Sequence, residues 1–408
     1  MHGCRLRFVS CAFSDNMAWY CYKKHCTRKL NYHRQILNSH NCLVKLDRFF
    51  SVSKLCKYEI IPRLKVLDDV DLKKDAVDMF NTSIRAVSPK SMIENMLKYD
   101  EDKSQLKVED KVYHLNRNVS VVGFGMAVMG MARVVEDMLS PHVVNGIISI
   151  PKGMQKEMTE LQLETMLLSK NTKIQVFEGA HNHEADEATH DAAKAIHDHV
   201  MKLTNKDVLI VLCSGGGSTL CSLPEPPITL QELCYVTKLL KDNGASMAEL
   251  NIVRKNIDVL KGGGLVLALE EKPVQVLSLV LSSIVGNSAD LVASGPTYPT
   301  QPTPHHCIEI LKRLHIFDQT PQNIRRFLEK WCKNLETEKA NSVHYPMNVK
   351  ALNDASWSHV QNIVVGNNSI ACEAAAARAA ELGYLPLILT TTLTGEARNV
   401  GCMCARLA

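Results

Sequence analysis

Short apolar runs alternate with amphipathic stretches along most of this chain, and that alternation limits its fold more than any other feature. Val119–Val122, Gly146–Ile150, Lys173–Phe177, Val208–Leu212, Val274–Val285, Asn362–Val365 and Leu385–Leu389 read as strands. Helical spacing separates many of them, over Ala127–Leu139, Glu184–Leu203, Leu230–Asn243, Leu250–Leu260 and Ser369–Leu382. Strands that are apolar on both faces and joined through helices predict an α/β fold with a parallel, doubly wound, Rossmann-like sheet. Ligands of such sheets bind beyond the carboxyl ends of the strands, so the loops there are where chemistry is expected.

Ahead of the sheet, Val77, Phe80, Ile84 and Val87 recur at spacings of three and four and predict a helix with one apolar face. Ser88-Pro89 ends it and opens another, with Ser as cap and Pro in the first turn. The charged stretch Tyr99 to Asp110 reads as an exposed connection. The predicted organisation is a tail over 1–66, an α/β domain over 67–300, a helical bridge over 301–345 and the start of a second α/β lobe over 346–408. Ile308–Lys312 and Ile324–Lys333 supply the helices of the bridge.

The tail has its own composition. Its first 57 residues hold eleven Lys and Arg against two acids, Asp15 and Asp47, and six of the 14 cysteines. A basic, acid-poor start fits a mitochondrial presequence or a poorly folded tail, which places the protein in mitochondria or cytoplasm. A zinc site can be drawn from Cys21, Cys26, His33 and His40, but the gap between the pairs falls short of usual ligand spacing. A net charge of +4 with no basic, aromatic-interleaved stripe argues against nucleic acid as a partner. No apolar run reaches the roughly 18 residues that a membrane span requires. The oligomeric state cannot be read from these features.

Four loops are candidates for chemistry. In Val211-Leu212-Cys213-Ser214-Gly215-Gly216-Gly217-Ser218 a strand runs into three glycines bracketed by hydroxyls, which suits an anion cradle of backbone N–H groups. The Gly-Lys-Ser/Thr ending of a P-loop is missing. Gly123-Phe124-Gly125-Met126 makes a second strand-glycine-helix junction, where a helix amino terminus would face phosphate. It is a poor dinucleotide fingerprint, because Val128 stands where the third glycine belongs, and this disfavours a Rossmann dehydrogenase. Arg254, Lys255 and Lys261 bring three cations within eight residues next to a glycine run, which reads as a phosphate clamp or as a solvated helix face. Finally, Leu281-Ser282-Ser283-Ile284-Val285-Gly286-Asn287 leads through Asp290 to Ala293-Ser294-Gly295-Pro296-Thr297.

Taken in order, Gly123-Phe124-Gly125, Pro151-Lys152-Gly153, Ser214-Gly215-Gly216-Gly217-Ser218, Asn251-Ile252-Val253-Arg254-Lys255, Lys261-Gly262-Gly263 and Ala293-Ser294-Gly295-Pro296-Thr297 resemble the class II glycerate kinases. The likeness runs from about Asp69 to Arg398. It implies a two-lobed kinase that moves the γ-phosphoryl group of ATP, with Mg2+, to a hydroxyl of D-glycerate in serine and fructose catabolism. By that resemblance Arg254, Lys255 and Asp290 are catalytic. Gly123, Gly125, Ser214, Gly215, Gly216, Gly217, Ser218, Lys261 and Ser294 bind substrate or phosphate, and the metal ligands stay unassigned.

Three positions depart from the family pattern: Met126 where it has Lys, and Ser283 and Asn287 where it has Asp. The family pattern also continues beyond Thr394-Gly395-Glu396-Ala397-Arg398 into a further glycine-rich domain, so this chain is expected to stop within its second lobe. Both departures predict weak or lost activity. The alternative is a non-catalytic paralogue or splice form that binds glycerate or nucleotide as a partner protein.

Overall fold

The computed structural model describes residues 71–180, 184–269, 272–284, 286, 288–300, 303–336, 357–393 and 395–407. The expected presequence, the Cys21, Cys26, His33 and His40 set, Val285 and Asn287 lie outside them. The described chain divides into two units, one over Val87–Asn367 and one that joins the residues before Val87 to those from Asn368 on.

The smaller unit contains α1, Leu72–Ala86. Met79 and Ser83 are its buried residues, while Val77 and Phe80 are exposed, so the apolar face expected at Val77 and Phe80 is not the buried one. The larger unit opens with α2, Pro89–Met96, where the Ser88 side chain accepts from the Ser91 N–H and Pro89 occupies the first turn as expected. The stretch expected as an exposed connection is instead a three-stranded antiparallel meander: β1 Leu97–Asp100, β2 Gln105–Val108 and β3 Lys111–His114. Its buried side chains, Leu97, Leu106, Val108 and Tyr113, are separated by charges that hide the two-residue period.

The main sheet follows. After β4, Val119–Phe124, come α3, Val128–Leu139, then β5, Val143–Pro151, α4, Met154–Glu160, and β6, Ile174–Gly179. Helix α5, Glu187–Val200, leads to β7, Val208–Cys213, and the short α6, Gly217–Leu220. Next are α7, Leu230–Asp242, α8, Met247–Asn256, and α9, Gly264–Leu267. Then β8, Gln275–Leu281, α10, Pro304–Arg313, α11, Gln322–Glu336, and β9, Val360–Gly366, complete this unit. Reciprocal capping boxes start α5 (Asp186 with Thr189), α7 (Thr229 with Glu232) and α8 (Ser246 with Glu249). Each such cap is worth about 1 kcal/mol.

All six strands are parallel, in the order β6-β5-β4-β7-β8-β9. Numbered within the sheet this is 3-2-1-4-5-6, the order of a doubly wound, Rossmann-like sheet, the fold class expected from sequence, and its direction reverses between β4 and β7. Every residue of those two central strands is buried, which explains why they are apolar apart from Ser120. The helices α10 and α11 share one apolar core with α7 and α8 through Leu233, Val236, Val253, Cys307, Leu311, Ile324 and Leu328. In the smaller unit, α12, Asn368–Glu381, precedes Leu385–Leu389, which forms no strand. There Leu385 and Leu387 are exposed, and Pro386 deprives the run of a ladder donor. The last helix, α13, spans Ala397–Leu407.

Candidate functional site at the sheet reversal

The reversal between β4 and β7 brings together the two glycine junctions singled out in the sequence. They interlock. Ser214 Oγ accepts the Ala127 N–H at 3.0 Å, and the Gly215 carbonyl accepts the Met126 N–H at 2.9 Å. Gly125 adopts φ +143°, and a Cβ there would lie 2.1 Å from Ser214 Oγ, so no side chain fits between the loops. Gly123 is as confined, with its place for a Cβ 2.6 Å from Val128 Cγ1 and 2.9 Å from Leu212 Cβ. Two amide donors of the first junction are thereby used inside the protein. In the second junction Gly216 takes a left-handed φ of +84°, and the Gly215 and Gly216 amides have no acceptor among the described residues. Those two successive N–H groups form the open part of the loop, the arrangement that binds anions.

Gly217 packs against the third loop: its place for a Cβ is 2.7 Å from Ala293 Cβ. One residue on, Ser218 Oγ lies 2.9 Å from Ser294 Oγ, which donates to Asn251 Oδ1 at 2.6 Å. A chain of hydroxyls therefore ties the glycine loop to α8, which carries Arg254 and Lys255. Ala293 (φ 51°), Ser294 (φ 62°) and Gly295 (φ 63°) are successive left-handed residues. For residues with a side chain that conformation costs roughly 1–2 kcal/mol each. Strain of this kind collects where a loop must present a group in one geometry.

The three cations part company. Lys255 is buried and donates to the half-exposed Asp290 at 3.0 Å. Lys261 turns inward, where it donates to the fully buried Asp258 and, at 2.9 Å, to the Cys221 carbonyl. The sequence spacing suggested one cationic face, but α8 ends at Asn256 and the following loop carries Lys261 into the core. Burial pushes the Asp258 carboxyl above the usual carboxylate range despite that contact. Arg254 is 9% exposed and makes no hydrogen bond or ion pair among the described residues. Burial lowers its guanidinium to about 10, partly offset by Asp258, which leaves it cationic at neutral pH. A buried, charged fork with open donors is a site for a carboxylate or phosphate.

Met126 and Ser283 border the same glycine loop. The place for a Cβ on Gly216 is 3.2 Å from Met126 Cγ, and that on Gly215 is 3.1 Å from Ser283 Oγ. Two of the three departures from the family pattern thus lie against the loop that carries the open amides. Cys213, next to the loop, is fully buried, and desolvation raises its thiol well above the ordinary range, so it is no nucleophile. Sequence reasoning did not single out Glu178, whose carboxylate accepts the Gly153 and Gln155 N–H groups at 2.8 and 3.0 Å and so fixes the Pro151-Lys152-Gly153 turn. It also passed over Asn251 as the acceptor for Ser294.

The family model described as a domain of unknown function, DUF4147, matches residues 75–329. A glycerate 2-kinase of Pyrococcus horikoshii is 31% identical over 332 residues, 81% of this chain and 68% of that protein. The chain belongs to the glycerate kinase family. A glycerate kinase of Bos taurus is 37% identical over 339 residues, which are 83% of this chain and 61% of that protein. The match thus spans less than two thirds of that family member's length. The crystal structure of a glycerate kinase from Thermotoga maritima superposes with a TM-score of 0.62 at 27% identity, over 82% of this chain and 68% of that one.

Proposed function

We propose that this chain carries a phosphate- and carboxylate-binding site of the glycerate kinase type, built to move the γ-phosphoryl group of ATP to a hydroxyl of D-glycerate, giving phosphoglycerate. The observation that carries the reading is Arg254, a buried guanidinium with no partner among the described residues. It sits on the helix that Asn251, Ser294 and Ser218 join to the open glycine loop. In this reading Arg254 pairs with the glycerate carboxylate, the Gly215 and Gly216 amides hold phosphate oxygens, and Asp290 keeps Lys255 in place beside them. Phosphoryl transfer is mainly positioning and charge stabilisation, and these donors supply the positioning part of it.

Magnesium does not fit the described residues as well as phosphate does. Mg2+ usually takes one or two carboxylates besides nucleotide oxygens. Ser283 is neutral, and the half-exposed Asp290 shares one carboxylate oxygen with Lys255, which leaves a cation competing with that ion pair.

A second reading, a binder of glycerate or nucleotide that does not turn over, is favoured by one observation: apolar Met126 lies over Gly216, where the family pattern puts a lysine. Losing one electrostatic stabiliser typically costs ~10²–10³ in rate. The test is ATP- and D-glycerate-dependent phosphoglycerate formation by the purified 408-residue chain. The expected rate is at least ~10²-fold below the ordinary kinase range. The triple variant Met126→Lys/Ser283→Asp/Asn287→Asp, joined to the remaining carboxy-terminal segment of the Bos taurus relative, should recover turnover. Turnover at ordinary rates by the unaltered chain would eliminate the second reading and the roles given to those positions.

A further inference from the structure

We propose that Asn362 and Ser278, through Thr297, are positioning residues that lock the left-handed turn presenting Ser294, a role that rests on the site assignment above. The turn is held on its inner side by Gly262 N–H to the Ser294 carbonyl at 2.9 Å and Gly263 N–H to the Gly295 carbonyl at 2.8 Å. Those bonds fix the turn against the 262–264 loop but do not explain why the chain leaves it in one direction. That is set three residues after Ser294.

Thr297 is fully buried. Its Oγ1 lies 2.6 Å from Asn362 Oδ1 and 3.0 Å from Ser278 Oγ. A hydroxyl has one proton, so Thr297 donates to the Asn362 carbonyl oxygen and accepts from Ser278. The Asn362 amide then returns a bond from Nδ2 to the Thr297 carbonyl at 3.0 Å. One side chain thus grips both the side chain and the backbone of Thr297. Ser278 and Asn362 are register partners on β8 and β9, so two adjacent strands set their only shared polar pair at the point where the turn is anchored.

Ser278 is out of place by the ordinary rules of a parallel sheet, since it interrupts Val276-Leu277 and Leu279-Val280 in the core, while the half-buried Asn362 stands on the edge strand β9 just before Ile363-Val364-Val365. Buried polar groups persist in such strands when every partner is satisfied, and a satisfied network specifies one geometry. Here the geometry specified is that of Thr297, and through Gly295 and Pro296 that of Ser294. Ser294 links Ser218 of the glycine loop to Asn251 of α8, so an error at Thr297 would separate the loop from Arg254 and Lys255.

The test compares Thr297→Val, Asn362→Leu and the conservative Thr297→Ser in the full chain. Hydrogen exchange of the Gly262 and Gly263 amides reports the turn directly and needs no ligand. Thr297→Val and Asn362→Leu should each speed that exchange by about tenfold or more while the β4 and β5 amides keep their protection, and Thr297→Ser should restore it. Unchanged Gly262 and Gly263 protection in Thr297→Val would overturn the proposal, and so would equal loosening of β4 and β5. If Asn362→Leu fails to fold, the two Thr297 variants decide. A second arm measures the thermal shift given by D-glycerate, expected in the parent and Thr297→Ser and lost in Thr297→Val. No shift in the parent would sink the site assignment alone, since the exchange arm judges the anchor separately.

Discussion

At the scale of single residues, the buried charges of this protein differ in what they do, and their neighbours show which is which. Lys261 and Asp258 saturate each other and also hold the Cys221 carbonyl and the Leu223 and Leu260 N–H groups. Removing one partner strands the other, so Lys261→Met should cost about 3–5 kcal/mol in denaturant unfolding, and Lys261→Met/Asp258→Leu should recover most of it. Glu225 is the opposite case. It is buried, its Oε1 has no hydrogen-bond partner, and burial with repulsion from Asp258 pushes it up to about 7 from an ordinary 4.5. The folded state then binds this proton more tightly than the unfolded chain. Its contribution is full below pH 4.5 and is lost as pH rises through about 7. Glu225→Gln should therefore be more stable than the parent at pH 8, by on the order of 1–3 kcal/mol, with the difference vanishing near pH 4. Equal stability of the two at pH 8 would show that the carboxylate has found a partner or water. At Gly125 the issue is space: Gly125→Ala meets Ser214 at 2.1 Å in a conformation that L residues avoid. A loss of about 2–4 kcal/mol is expected by the same measurement.

At the scale of elements, what was legible followed from local pattern, and what was missed depended on partners far away in sequence. The central strands announce themselves because Val119–Phe124 and Val208–Cys213 are buried on both faces, and short runs that are apolar but for Ser120, ending at or just before glycine, have few other solutions. Leu385–Leu389 offers the same composition, yet a strand also needs a neighbour to pair with, and Pro386 lacks a donor; composition alone could not reveal that. The meander was hidden by its charges, which separate the inward-facing Leu97, Leu106, Val108 and Tyr113. The face of α1 was misjudged at Val77 and Phe80 because one helix can offer two overlapping apolar stripes, and its packing partner α12, some 290 residues on, selects between them. Phe80→Ser should in consequence change stability by less than about 0.5 kcal/mol in thermal unfolding, as expected of an exposed position, whereas Met79→Ala should cost about 2–5 kcal/mol. At the site, the glycine loops were legible from their own residues. The inward turn of Lys261 was not, because it depends on where α8 stops and on Asp258 lying deep in the core.

At the scale of the whole molecule, the strand order places the reversal between β4 and β7, and the loops gathered there present two open amides, a strained hydroxyl turn and a buried cation as one linked set. The account stands on that set binding an anionic substrate. A ligand present at a hundred times its dissociation constant should add about 2.7 kcal/mol to the stability of the unit that holds it. The most direct measurement is a calorimetric titration of D-glycerate into the parent chain and into Arg254→Met. The parent should bind, and the variant should lose at least tenfold in affinity, since truncating one partner of a buried charge pair costs about 2–5 kcal/mol. Equal affinities, or no heat from the parent at millimolar glycerate, would contradict the site.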